Sequence, residues 1–373
     1  AGLAGEPSDP RIAADGRLRI GLLSGYFRAH SNWKSHLAWL VRLDPARFEI
    51  IGFSTQSRRG PEFDEARSRL ARMEVVSSDP IALARRVREE RLHAVILPEI
   101  GMDPMIRIAA AARLAPIQWC SWGHATTSGY ASVNGYLSAA FMESEDADAH
   151  YTEPLIRLPG VGCSFVRPAA APDPMPRSSL GVGDGEVAVW CAHAPFTHLP
   201  QHDSVLTRIA DRCPNARFIF VAMESGDPVR ARIETALRAQ GLEADRYLRF
   251  LPRMPISRFL GANAACDFYL DTPEWSGCNT GLETILMGCP PITLPGRFMR
   301  GRHLWAFLQQ MQMPELAAWS VDEYVELAVR MIDDAVMRRD AAKSIAERRD
   351  VLFEDPAPRV ACEDLLEQAC HRN

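Results

Sequence analysis

Residues 276–281 are small and polar, and their side chains could bind an anion. They have the sequence SGCNTG, follow a short apolar run and precede an apolar-periodic segment over 282–287. This order predicts a buried strand, a tight turn, a short helix and then a second strand over 292–294. The turn would direct backbone N–H groups and the positive end of the helix towards a ligand, with side-chain donors from Asn279 and Thr280. We therefore expect an anion there, and a phosphate fits best.

A simpler interpretation of the same residues is an ordinary strand-to-helix turn. In that case Asn279 and Thr280 would only cap the helix. A single glycine-rich turn is a weak signal, so spacing alone leaves both interpretations open.

Histidines near the ends of predicted strands are the second group that could do chemistry. The first predicted strand is followed by HSNWKSH, which contains His30 and His36, and a strand over 117–122 delivers His124 next to a glycine and several hydroxyl residues. Two histidines six positions apart do not share a helix face, which argues against a metal pair. Because histidine titrates near neutrality, His124, His30 or His36 could act as a general base. The alternative is that these histidines are structural.

The elements that position these residues alternate between strand and helix, which predicts parallel sheets with helices on both faces. The first series occupies residues 17–167, and a proline-rich stretch over 168–176 is predicted to be a linker. The second series occupies 177–355 and is followed by a C-terminal tail, 356–373. Residues 1–16 are small and polar, as expected of a linker or the remnant of an upstream domain. We thus predict an α/β fold with two domains facing across a cleft, where ligands bind at the carboxyl ends of the strands.

Composition limits the possible classes of protein. The 373 residues are 47% hydrophobic and 24% charged, with a formal net charge of -5, which gives no electrostatic case for nucleic-acid binding. No apolar run is long enough to span a membrane, and the N-terminus has no signal-peptide pattern. The nine cysteines contain no C-x-x-C pair, which favours buried thiols over zinc or disulfides and predicts a cytoplasmic protein.

Two longer segments carry a family resemblance. LDTPEWSGCNTGLETILMGCPPITLPG, residues 270–296, resembles the donor-site segment of the family that contains the O-GlcNAc transferases and the adhesin N-glucosyltransferases. LAPIQWCSWGHATTSG, residues 114–129, resembles the adhesin enzymes most closely. The resemblance implies the GT-B fold, in which two Rossmann-like domains face across a cleft. It also implies an inverting transfer from a UDP-sugar, without metal or other cofactor, to a protein acceptor through Asn or Ser/Thr.

On the acceptor side, the resemblance implies a catalytic role for a histidine. His124 matches a histidine of the adhesin enzymes that is proposed to act on the acceptor, but Ala125 replaces the proline that follows it in the family. The spacing H-S-x-x-K-S-H, which includes His30 and His36, is similar to the corresponding loop of the adhesin enzymes.

On the donor side, the resemblance implies contacts with UDP. His198 occupies the position of a lysine that contacts the diphosphate, and a histidine carries less charge at pH 7. Met254 lies in a segment whose backbone reads uracil in the family. Cys278 replaces a histidine and Glu283 replaces an aspartate, whereas Asn279 agrees with the adhesin enzymes. The implied donor-binding set is His198, Met254, Cys278, Asn279, Thr280, Gly281 and Glu283.

The resulting prediction is a glycosyltransferase that moves a hexose or N-acetylhexosamine from UDP to a protein or peptide. The family normally has a helical domain upstream, so the resemblance implies a catalytic region or another way of holding the acceptor. Two alternatives remain open: a sugar-nucleotide-binding module without turnover, and a UDP-sugar epimerase, since fold alone does not separate these.

Overall fold

The computed structural model describes residues 5–57, 60–76, 79–168 and 170–372. The chain forms two compact units. The first contains the residues up to Arg167 together with those from Phe353 onward, and the second is Pro168–Leu352. Residues 1–4 of the predicted N-terminal linker and Ala169 of the predicted interdomain linker lie outside the described residues.

The first unit is built on a seven-stranded sheet in which every neighbouring pair is parallel. Its strands are β1 (Leu18–Ser24), β2 (Phe48–Ser54), β3 (Arg72–Val75), β4 (Ala94–Leu97), β5 (Ile117–Ser121), β6 (Gly135–Ala139) and β7 (Leu155–Leu158). Their order is β3-β2-β1-β4-β5-β6-β7. The central strands β4 and β5 are buried along their whole length, because helices cover both faces of the sheet.

Four α-helices connect strands of this sheet: α1 (Ala38–Leu40), α2 (Pro61–Arg69), α3 (Pro80–Glu89) and α4 (Pro104–Ala109). A π-helical turn, Trp33–Leu37, precedes α1. The helices α3 and α4 begin with proline after an aspartate cap, Asp79 and Asp103 respectively.

The second unit is built on a five-stranded parallel sheet. Its strands are β8 (Val187–Trp190), β9 (Ala216–Val221), β10 (Leu248–Leu251), β11 (Phe268–Leu270) and β12 (Pro291–Ile292). Their order is β10-β9-β8-β11-β12. Its helices are α5 (Asp203–Arg212), α6 (Pro228–Ala239), α7 (Ala244–Tyr247), α8 (Ile256–Ala264), α9 (Asn279–Leu286), α10 (His303–Gln310), α11 (Val321–Asp333) and α12 (Ala335–Arg348).

The last helix, α13 (Pro356–Arg372), belongs to the first unit. Arg47, just before β2, holds it through ion pairs with Glu363, Asp364 and Glu367. Glu363 is almost fully buried and also accepts a hydrogen bond from the Asp44 backbone N–H, 2.8 Å long. The sequence predicts a separate C-terminal tail after the second domain. In the structure this tail forms α13, which belongs to the first unit.

Strand and helix alternate as predicted, although four elements have no counterpart in the prediction: β6, β7, α7 and α10. The β6 sequence GYLSA and the β7 sequence LIRL are short and only partly apolar, so they lack the strong period of a buried strand. All nine cysteines are free thiols, and seven of them are buried. No helix among the described residues is long and apolar enough to cross a membrane.

Candidate active site

The turn between β11 and α9 lies at the carboxyl edge of the second sheet, where the sequence predicts an anion site. Cys278 is the N-cap residue of α9, so Asn279 and Thr280 occupy the first two helical positions instead of capping the helix. Within the described chain the Cys278 side chain accepts no capping hydrogen bond. The Cys278 side chain therefore does not cap the first turn of α9, and the N–H groups of a first helical turn favour an anion.

Asp271, which directly follows β11, holds the turn in place through hydrogen bonds. Its carboxylate accepts hydrogen bonds from the Ser276 hydroxyl at 2.7 Å, the Gly277 backbone N–H at 2.8 Å and the Thr293 hydroxyl at 2.6 Å. Burial raises the pKa of Asp271 to about 6, although these donors favour the ionised form. The turn is thus fixed to both β11 and the end of β12 through a single side chain.

His193, which follows β8, is a second buried residue next to the turn, and it contacts Tyr269 and Thr272. One ring nitrogen is 2.5 Å from the Tyr269 hydroxyl, and the other is 3.0 Å from the Thr272 hydroxyl. Burial lowers the pKa of His193 well below its usual value, so the ring is neutral. A side chain at Gly277 would overlap the Tyr269 hydroxyl, which explains why glycine stands at this position.

His198, predicted to face the diphosphate, has its ring turned into the second unit. The ring lies 5.9 Å from that of His193 and 5.5 Å from that of Phe220, measured between centroids. Its Nε2 atom is buried, and burial followed by the nearby Arg232 lowers the pKa of His198 to about 4. This histidine therefore carries no charge at neutral pH, and its contact with a diphosphate stays a prediction.

The other predicted donor-side residues lie on the same edge of the sheet or in α9. Met254 follows β10 and is partly exposed, whereas Glu283 is buried within α9. Burial raises the pKa of the Cys278 thiol above its usual value, so it remains protonated. Three strand spacings separate β10 from β11, so the carboxyl ends of these two strands, which Met254 and the turn follow, are roughly 14 Å apart across the sheet. An extended ligand with a base at one end and phosphates at the other suits that separation.

In the first unit, His124 follows β5 at the carboxyl edge of its sheet. Its Nδ1 atom lies 2.9 Å from the Thr126 hydroxyl, and its backbone carbonyl accepts a hydrogen bond from the Tyr136 hydroxyl. The ring packs directly on Gly101, where a side chain would overlap it. Burial lowers the pKa of His124, so the partly exposed ring is neutral and able to accept a proton.

The two histidines of the first loop differ in exposure. His30 is partly exposed, packs on Tyr26 with its ring tilted by 32° at 4.1 Å between centroids, and accepts a hydrogen bond from the Asn32 backbone N–H. Burial and then Arg28 lower its pKa to about 4. His36 is fully buried and packs edge-on against Trp122 at 4.3 Å, which is the environment of a structural histidine. His30 and His124 therefore remain the accessible candidates.

Glu99 is a residue at the same edge to which the sequence analysis gave no role. It follows β4, is fully buried, and accepts a hydrogen bond from the Gly25 backbone N–H at 3.1 Å. Burial raises the pKa of Glu99 to about 8.

The sequence feature that could have identified Glu99 is an acidic residue directly after the apolar run AVILP, residues 94–98. Asp271 and His193 were missed in the same way, since each follows a short strand. No cluster of three metal-binding side chains occurs among the described residues.

Known proteins resemble this chain in sequence and in fold. Residues 179–355, which contain the second sheet, match the model of glycosyl transferase family 41. A solved structure of a Thermobaculum terrenum O-GlcNAc transferase mutant aligns with 99% of this chain and 71% of its own, at 25% identity and a TM-score of 0.85. The lipopolysaccharide glycosyltransferase WaaG shares the fold at 13% identity and a TM-score of 0.54.

Two curated relatives cover 91% of this chain. One is the Arabidopsis thaliana protein named as a probable UDP-N-acetylglucosamine–peptide N-acetylglucosaminyltransferase, SPINDLY, at 24% identity. The other is the UDP-glucose:protein N-beta-glucosyltransferase of Actinobacillus pleuropneumoniae serotype 5b, at 25% identity. The chain spans 37% and 54% of their respective lengths. The predicted family resemblance and the GT-B fold are confirmed.

Proposed function

We propose that the chain transfers a hexose or N-acetylhexosamine from a UDP-sugar to a protein side chain, because residues 179–355 match the model of glycosyl transferase family 41. The observation that carries the proposal is the uncapped amino end of α9, fixed by Asp271 at the carboxyl edge of the second sheet. A helix end of this kind favours a phosphate, and the relatives are named for UDP-sugar donors.

The donor chemistry follows from the turn. The bond between the anomeric carbon and the β-phosphate oxygen breaks, and UDP leaves with the electron pair. Negative charge grows on that oxygen, and the N–H groups at the start of α9 with the Thr280 hydroxyl stabilise it. Asn279 contributes a second side chain at the start of α9. Met254, which follows β10, lies where we propose that the uracil binds.

The acceptor chemistry requires a base in its neutral form. A serine or threonine oxygen, or an asparagine nitrogen, forms the new bond to the anomeric carbon and loses a proton. His124 would accept that proton, because its ring is partly exposed and its lowered pKa keeps it unprotonated near pH 7. His30 has the same properties and is the second candidate.

Three finer parts of the proposal come from the family resemblance: inversion at the anomeric carbon, independence of a metal ion, and a cytoplasmic location. Attack on the face opposite the departing UDP would invert the anomeric centre. The donors of the turn would stabilise the diphosphate in place of a metal ion.

The direct test is incubation of the purified chain with UDP-glucose or UDP-N-acetylglucosamine and a protein extract, followed by mass spectrometry of nucleotide and protein. Transferase activity predicts free UDP together with a hexose or N-acetylhexosamine mass on asparagine, serine or threonine. An epimerised UDP-sugar would instead support the epimerase alternative, which shares the two-domain architecture. Binding without any product would identify a non-catalytic module, and either result would contradict the proposal.

A further inference from the structure

The neutral state of His198 leaves the proposed diphosphate site without the cation that the family's lysine would supply. A histidine with a pKa near 4 adds no positive charge at pH 7. A leaving diphosphate gains negative charge, so a cation beside it would favour the reaction. Another positive side chain within the second unit would supply the missing charge.

The segment over 296–302, with the sequence GRFMRGR, lies against the turn and is strongly basic. The Ser276 backbone N–H donates to the Arg300 carbonyl at 2.8 Å, which ties the segment to the first residue of the turn. Gly296 and Gly301 pack on the backbone of Glu274, and a Cβ atom at Gly301 would lie only 3.1 Å from the Glu274 Cα. Three arginines thus stand beside the turn, with Glu274 as the adjoining acid.

The guanidinium of Arg300 has no ionic partner among the residues that the structure describes. It forms no salt bridge and no side-chain hydrogen bond with the described residues, and it keeps some exposed surface. Its central carbon lies 4.7 Å from the Phe298 ring centroid and 5.9 Å from that of Trp275. The Trp275 carbonyl is held by the Thr272 hydroxyl at 2.7 Å. Two aromatic rings therefore orient the cation while leaving its hydrogen-bond donors available.

We propose that Arg300 binds the diphosphate of the UDP-sugar and supplies the positive charge that His198 does not. This inference rests on the proposed function and assigns a phosphate contact within the same site. The planar guanidinium can donate two parallel hydrogen bonds to phosphate oxygens. It approaches from the 296–302 segment, on the side of the turn that carries Trp275.

The test compares UDP and uridine binding by calorimetry for the wild type, Arg300→Gln and Arg300→Lys. Loss of a charge-assisted contact predicts that Arg300→Gln weakens UDP binding roughly ten- to a hundredfold while uridine binding changes less than about twofold. Arg300→Lys should restore part of the loss, because it returns the charge without the planar geometry. Thermal unfolding of each variant separates a binding defect from a folding defect.

Arg339→Gln is the matched control, since it removes the same charge from α12. Arg339 lines a pocket with Asp267 and Pro290, which precede β11 and β12, so it lies at the opposite edge of the sheet. UDP binding by this control should equal that of the wild type. If Arg300→Gln binds UDP as well as the wild type, or if UDP and uridine weaken equally, Arg300 does not contact the diphosphate. If the wild type itself binds no UDP, the proposed function fails, and this inference fails with it.

Discussion

At the scale of single residues, burial sets the protonation state of the groups at both sheet edges. It lowers the pKa values of His124 and His30, and it raises those of Asp271 and Glu99. Each shift favours the uncharged form, because a low-dielectric environment penalises charge. For a histidine base this is useful, since only the unprotonated ring can accept a proton at neutral pH.

Replacing His124 by alanine should reduce turnover by roughly 10²–10⁴-fold, the usual contribution of a positioned base. UDP affinity should stay within about twofold, because His124 belongs to the first unit and the proposed UDP site lies in the second. Steady-state rates and calorimetry measure the two quantities. His30→Ala, studied in parallel, is expected to have the smaller effect on turnover. Full activity in a normally folded His124→Ala protein would make His124 structural and His30 the candidate base.

Glu99 predicts a specific pH dependence of stability. Its pKa is about 8 in the folded chain and about 4.5 when unfolded, so the unfolded state loses the proton first as pH rises. The free energy of unfolding should therefore decrease between about pH 4.5 and pH 8, by an amount on the order of a few kcal/mol. Glu99→Gln keeps a neutral group of the same shape and should lack this decrease.

Urea denaturation at pH 5.5 and pH 8.5 measures the effect, with the exposed Glu89→Gln as the control for loss of a carboxylate. The stability difference between Glu99→Gln and the wild type should grow at the higher pH. Identical pH profiles for the two proteins would show that Glu99 is ionised over this whole pH range in the folded chain. Other contacts would then offset the cost of burying its charge.

At the scale of elements, the β11–α9 unit combines what the sequence predicts with what it does not. Leu282 to Met287 and the glycine-rich turn were sufficient to predict strand, turn and helix, because local period and turn residues encode them. The contact of Asp271 with Thr293 joins positions 22 apart in sequence, and no local pattern reports it. The buried ring of His198 is another such case, since the family position alone suggested an exposed phosphate ligand.

Gly277→Ala tests whether the exact path of this turn is required. The added methyl would overlap the Tyr269 hydroxyl, approach the His193 ring and crowd the start of α9. We expect a loss of roughly 1–3 kcal/mol in stability and at least a tenfold weaker affinity for UDP. Gly183→Ala in the same unit is the control, because its methyl would meet only ordinary contacts with Glu186. An unchanged UDP affinity in Gly277→Ala would mean that the turn does not form the anion site.

At the scale of the whole molecule, the chain contains two parallel-sheet units, each with titratable groups at the carboxyl edge of its sheet. The two-unit α/β architecture could be predicted because strands and helices alternate strongly on both sides of residues 168–176. The sequence could not predict that α13 belongs to the first unit. That placement depends on the ion pairs of Arg47 with Glu363 and Glu367, more than 300 positions away.

Calorimetric titration of the chain with UDP, in excess chelator and again with magnesium, tests the proposed anion site. If the α9 turn and neighbouring side chains bind the diphosphate, UDP should bind with the same affinity in both conditions, because protein donors supply the anion site. Binding that disappears in chelator and returns with magnesium would contradict the account, since the diphosphate would then depend on a metal ion.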